Sequence, residues 1–97
     1  MAEILVDIEV TEHDIRHGRA QHCSECPVAL AVTRKVKSAL PVIVNYRQAS
    51  LTDPKTSTHF IFPLPIEVTN WIKEYDYCGD VGPFSFSLFL PEEFVNG

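Results

Sequence analysis

Glycine is scarce in this chain, with four residues in 97 and none beside another. That excludes a glycine-rich loop folded around a phosphate, and there is no Gly-x-Ser-x-Gly turn to carry a hydrolase nucleophile. Long apolar runs are also missing, none nearing the roughly 20 residues that cross a bilayer. The opening stretch MAEILVDIEV holds Glu3, Asp7 and Glu9 and no base, the opposite of a secretory leader, so the expected location is cytoplasmic. Basic residues are the third shortage: eight Lys and Arg against thirteen Asp and Glu, a net charge of -5. Broad phosphate neutralisation is therefore disfavoured, and nucleic acid with it. Cysteine is limited to three, an odd number, and Cys23 and Cys26 lie too close together for a scaffold disulfide.

Hydrophobic residues make 45% of the chain and charged ones 22%, enough apolar side chain to offset ordering entropy, so one folded domain over 1–97 is expected. Glu3 to Val10 alternates, with Ile4, Val6, Ile8 and Val10 on one face, and reads as a half-buried strand. Thr11 reads as a helix cap with Asp14 near the exposed amides, for a short helix 12–17 that Gly18 closes in a left-handed conformation. Cys26-Pro27 opens a second helix to about Ala39, with Val28, Ala31, Val32 and Val36 inward and Arg34, Lys35 and Lys37 toward solvent. Pro41 to Arg47 reads as a strand, Ser50 to Thr52 as a short bridge, Asp53-Pro54 as a turn and Thr58 to Phe62 as a strand. Pro65 opens a helix with Val68, Trp71, Ile72 and Tyr75 on its buried stripe, ended by Gly79. Phe84 to Leu90 alternates as a last strand, and 91–97 reads as a flexible tail. The fold class expected is α+β: one small, mostly antiparallel sheet of about four strands with two main helices on one face. Leu5 and Phe89 fall on its second face, which a homodimer would cover.

The densest chemical cluster is His13, His17, His22, Cys23 and Cys26. Cys-x-x-Cys can put two thiolates on a tetrahedral zinc, and histidines four apart share a helical face. No second Cys-x-x-Cys or downstream His pair completes the set, so the plainer reading has the cysteines packed and the histidines exposed. A redox reading of the same thiols lacks the strand that normally precedes such a motif. Arg16, Arg19, Tyr46, Arg47 and His59 are candidates for gripping a small anion by charge-assisted hydrogen bonds and stacking. Glu92 and Glu93 read as solvated, and Phe60, Phe62, Phe84 and Phe86 as core. No catalytic constellation emerges, and a non-enzyme with no required cofactor is expected, zinc being the one candidate.

Two segments, HDIRHGRAQHCSECPVALAV (13–32) and LPIEVTNWIKEYDYCGDVGPFSFSL (64–88), carry a resemblance. Through His13, Ile15, Gly18, Cys23, Cys26, Pro27, Ala29 and Ala31, then Leu64, Pro65, Trp71, Ile72, Pro83, Phe84 and Phe86, the chain resembles a family of short uncharacterised bacteriophage and prophage proteins. It departs from that pattern at Tyr75, which stands in a phenylalanine place, at the inserted Tyr77-Cys78, and at Asp14 between the His and the Ile. The resemblance implies an accessory protein, cytoplasmic in the host cell, that binds a host or phage protein, such as a host defence, without catalysis. An alternative is a protein that sequesters a small anion such as a cyclic nucleotide. A second alternative is a zinc-organised domain that contacts nucleic acid through residues 13–37.

Overall fold

The computed structural model describes residues 3–19, 22, 24–36, 41–53, 55–77 and 81–95. Along the chain run β1 (Glu3–Val10), α1 (Glu12–His17), α2 (Pro27–Lys35), β2 (Ile43–Val44), β3 (Gln48–Thr52), β4 (His59–Pro63), α3 (Ile66–Tyr77) and β5 (Phe84–Pro91), then a 3-10 turn at Glu92–Phe94.

The strands form two antiparallel sheets, which corrects the expected single sheet of about four strands with two main helices. β1 pairs with β5 from Glu3 opposite Pro91 to Val10 opposite Phe84, while β2, β3 and β4 make a separate three-stranded sheet. The division has a packing cause. β1 and β5 turn Val6, Ile8 and Val10 and Phe86, Leu88 and Leu90 inward, and α2 lies against β1. That apolar face is buried by helix, so no further strand is needed to cover it. β4 turns its aromatic side chains to Phe94, which meets Phe60 and Phe62 edge-on with ring centroids 5.4 and 6.2 Å away. Both sheets thus contribute to one cluster, in which Ile8, Val28, Val32, Leu51, Val68, Leu90 and Phe94 are fully buried.

Three local expectations change. The strand read over Pro41 to Arg47 shrinks to two residues because Asn45 closes a turn: its Oδ1 accepts from the amides of Arg47 and Gln48, each at 2.8 Å. Residues 46 and 47 therefore sit on a turn, and the short bridge expected near Ser50 becomes the strand β3. The tail expected after Leu90 is instead folded through Val95, because the 3-10 turn drives Phe94 into the core. α2 ends at Lys35, short of its expected end, with Val36 extended as its C-cap; residues 37–39 of the expected span, Gly79 and Pro54 lie outside the described residues. Trp71, on the expected inward stripe of α3, is half-buried, stacks on Phe84 at 4.8 Å and donates its Nε1 hydrogen to the Gly82 carbonyl at 3.0 Å.

α1 is fixed by its first residues. Thr11 Oγ1 accepts from the Asp14 amide at 3.2 Å, and Asp14 Oδ2 accepts from the Thr11 amide at 2.9 Å, a reciprocal cap. Gly18 does not adopt a left-handed conformation; its φ of -73° and ψ of 160° suit any residue. Glycine is needed there for closeness: a Cβ would lie 2.7 Å from Pro27 Cδ and 2.8 Å from the Asp14 carbonyl oxygen. Gly18→Ala is therefore expected to destabilise the fold by roughly 1–3 kcal/mol through overpacking. Gly82→Ala, where nothing lies within 4 Å, should be near neutral. Thermal melts of the two variants check this, and equal melting temperatures would refute it.

Candidate functional site

Among the described residues, His13, His17, His22 and Cys26 each have a local partner. His13 and His17 are exposed on α1 with rings stacked at 4.0 Å, and His17 Nδ1 donates to the His13 carbonyl at 2.9 Å. Cys26 is buried as the cap of α2, its Sγ accepting from the Ala29 amide at 3.4 Å. His22 is exposed, with Nδ1 3.3 Å from Glu25 Oε2. Cys23 lies outside the described residues. Among the described residues, no group of three or more His, Cys, Asp or Glu is placed to hold one metal ion.

The anion candidates do not form one constellation. Arg16 pairs with Glu12 at 3.9 Å, and Arg19 with Glu25 at 3.6 Å. His59, at the far end of the β3–β4 hairpin, shares a hydrogen bond with Thr52 Oγ1 at 2.9 Å. Tyr46 and Arg47 line one shallow depression on the Asn45 turn. Arg34, expected toward solvent, is exposed and at the same time reaches back to α1. Its Nη1 and Nη2 grip the Asp14 carboxylate at 2.9 and 2.8 Å, and Nη2 also donates to the Glu9 carbonyl at 2.8 Å.

A cleft of about 260 Å³ opens between the start of α2, the Asn45 turn and the end of α3. Its described lining includes the expected His22, Cys26 and Tyr46; it also includes Val44, Asn45, Ile72, Asp76 and Tyr77, none of which the sequence marked as a site residue. A signal existed for Asp76, which continues the inward Val68–Ile72 row by one further step of four on α3. Tyr46 is held over α3 by Thr69, whose hydroxyl donates to the Tyr46 carbonyl, and its own hydroxyl donates to that of Tyr77 at 3.4 Å. The hydrogen bond to Tyr77, then desolvation, then the Asp76 carboxylate raise the Tyr46 phenol well above its usual range. Tyr75, raised by burial first and then by Cys26 and Asp76, donates to the carbonyls of Gly18 at 3.0 Å and Ile15 at 3.3 Å, tying α3 to α1.

A second surface lies on the outward side of β1 and β5. Glu3, Leu5, Asp7 and Glu9 alternate outward on β1, and Ser85, Ser87 and Phe89 on β5; all are exposed. Leu5 and Phe89 stand opposite each other in register, 57% and 63% exposed. Ser87 donates to Asp7 Oδ1 at 2.7 Å, which fixes that carboxylate on the face. None of these outward residues is basic. A groove of about 440 Å³ borders them, lined by Glu3, Ser87 and Phe89 together with Phe62, Pro63, Leu64, Pro65 and Leu88.

No family model matches the chain, and neither a curated protein nor a solved structure matches it at a significant level. Among the described residues, no helix is long and apolar enough to cross a membrane.

Proposed function

We propose that the chain is a non-catalytic binding module whose outward β1–β5 face takes a protein partner that presents basic side chains around an apolar anchor. One observation carries this reading: the exposed Leu5–Phe89 pair sits among Glu3, Asp7 and Glu9, with no basic side chain among the described outward residues of β1 and β5. An apolar pair exposed at this level marks a contact site, and a ring of one charge selects the sign of what docks there. The adjoining groove, whose described lining is mostly apolar and includes the Glu3 carboxylate, suits the stem and head of a lysine or arginine. Nucleic acid shares the face's sign and is repelled by it. A second copy would set carboxylates against carboxylates, so a different protein is favoured over the homodimer. The phage-type sequence resemblance makes that partner a host or phage protein.

Selection of random peptides on the purified protein tests the reading. Enriched peptides should combine lysine or arginine with a large apolar residue and shift the amide signals of β1 and β5. Phe89→Ser, and separately the triple change Glu3→Gln, Asp7→Asn, Glu9→Gln, should each weaken them about tenfold, near 1.4 kcal/mol. Added salt should weaken binding to wild type more than to the triple variant. Peptides without basic residues, or peptides that bind all three proteins equally, would overturn it.

A further inference from the structure

We infer that the partner of the outward face docks as an extended strand on the outer edge of β5; this rests on the reading above and adds the partner's conformation and side-chain pattern. Proline fixes which way the β5 backbone points. Pro91 stands opposite Glu3 and has no N–H to exchange, so this is a pair without mutual hydrogen bonds. The register runs unbroken from there, and the two pair types alternate. Leu5 with Phe89, Asp7 with Ser87 and Glu9 with Ser85 are therefore of the same type. In such pairs each residue's N–H and C=O point away from the partner strand. The Glu9 carbonyl agrees, since it accepts from Arg34 at 2.8 Å. The amides and carbonyls of Ser85, Ser87 and Phe89 thus line the outer edge of β5 at every second residue.

Each of the other outer strands carries something that opposes a new strand. On β1, Arg34 occupies the Glu9 carbonyl. β2 is two residues long. On β4, Pro63 stands opposite Gln48, so by the same argument a proline nitrogen takes an N–H place on its outer edge. Sheets protect their edges by such devices. From Ser85 to Phe89, β5 has no proline, no charge and no bulge. Among the described residues, no backbone hydrogen bond outside the β1 ladder reaches Ser85, Ser87 or Phe89, and all three are exposed. The groove of about 440 Å³ lies at this edge, with Ser87, Leu88 and Phe89 in its lining.

The pattern of the added strand follows from its two sides. Side chains alternate across a strand. Those on the outward side join Ser87 and Phe89, and Glu3, which shares the groove lining, offers a carboxylate to a long base. Those on the other side meet the apolar Phe62, Leu64 and Leu88. The partner segment is therefore extended, with bases and apolar residues in strict alternation, and its main chain bonds to β5. A second copy's β5 brings no base to Glu3 and sets acidic face beside acidic face.

The probes are two end-capped peptides of one composition, the alternating Lys-Val-Lys-Phe-Lys-Val-Lys and the helix-spaced Lys-Lys-Val-Phe-Lys-Lys-Val. The alternating peptide should bind at least about tenfold more tightly and slow hydrogen exchange at the Ser85, Ser87 and Phe89 amides about tenfold or more. N-methylation of its Val and Phe amides, or separately of its inner lysine amides, should differ in effect by at least about tenfold, because only one set faces β5. Ser87→Pro, which removes an outward N–H at a position of the type Pro91 already fills, should weaken the alternating peptide about tenfold more than Ser87→Ala does. The methylated peptides test the wild-type protein and do not depend on that variant's folding. Equal binding of the two peptides, with shifts on β1 and β5, would overturn the strand and leave the face reading standing. Binding of neither would overturn the inference and weigh against that reading as well. Equal effects of the two methylations would overturn the inference alone. So would slow exchange of those amides in the free protein that is lost on dilution, which would make a second copy the occupant.

Discussion

Phe94→Ala is expected to lower stability by roughly 3–5 kcal/mol, the range for deleting a fully buried phenylalanine. Phe94 has no exposed surface and closes edge-on against Phe60 and Phe62. Its removal leaves a cavity beside β4, and the pairing of β4 with β3 keeps that strand from collapsing into it. A fold of this size has about 5–15 kcal/mol in total, so the loss is a large share. Urea denaturation followed through the fluorescence of Trp71 measures it. Phe89→Ala is the control: the ring is 63% exposed, and the change should lie within about 0.5 kcal/mol. A loss below about 1 kcal/mol for Phe94→Ala would mean that the 3-10 turn does not hold the sheets together.

The second large effect concerns acid. Asp14 is 1% exposed and accepts hydrogen bonds from the Thr11 amide, the Thr11 hydroxyl and both terminal nitrogens of Arg34. Its carboxyl is lowered from 3.8 to about 2, chiefly by the hydrogen bond from Arg34 and with help from Thr11, against the opposing effect of burial. The folded state therefore holds this proton less tightly than the unfolded chain does. Its stabilisation is fully present above about pH 4 and disappears as pH falls through about 2, amounting to roughly 2 kcal/mol. Asp14→Asn should remove that part of the acid sensitivity and cost roughly 2–3 kcal/mol at neutral pH. The cost sits at the low end for a broken pair because the Arg34 side chain, 46% exposed, can turn into water. Stability profiles of both proteins between pH 2 and pH 7 check this, and parallel profiles would show that another group governs the acid limb.

What the residues disclose about the fold depends on how far apart the interacting parts lie. Thr11 and Asp14 announce their cap because both partners fall within one turn of chain. The alternation of β1 and β5 is equally local, and it gives the outward positions of Leu5 and Phe89 correctly. It does not say which strand pairs with which, because alternation marks a face and leaves the partner open; this is why two sheets read as one. Arg34 looks like any base near a helix end, and its partner sits twenty residues earlier. Cys26 reads the same whether its sulfur caps a helix or binds a metal, because Cys-x-x-Cys encodes spacing and not environment. The cleft was the least legible feature. Its lining comes from three separate segments, and Asn45 builds one wall by turning the chain through a side-chain hydrogen bond that the apolar run before it conceals.

The pairing of β1 with β5 has a consequence for how the molecule comes into being. Residues 11–83 form the loop that this ladder closes. The entropy of closing a loop grows only with the logarithm of its length, so the equilibrium cost is modest. Folding rate is more sensitive, because contacts distant in sequence slow the search. On the ribosome, at roughly 5–20 residues per second, β1 waits several seconds for its partner strand to be made. During that interval α1 and α2 can form, but the acidic face with Leu5 and Phe89 at its centre cannot. That face is assembled only when the chain's early and late segments meet, so a truncated or stalled product cannot display it.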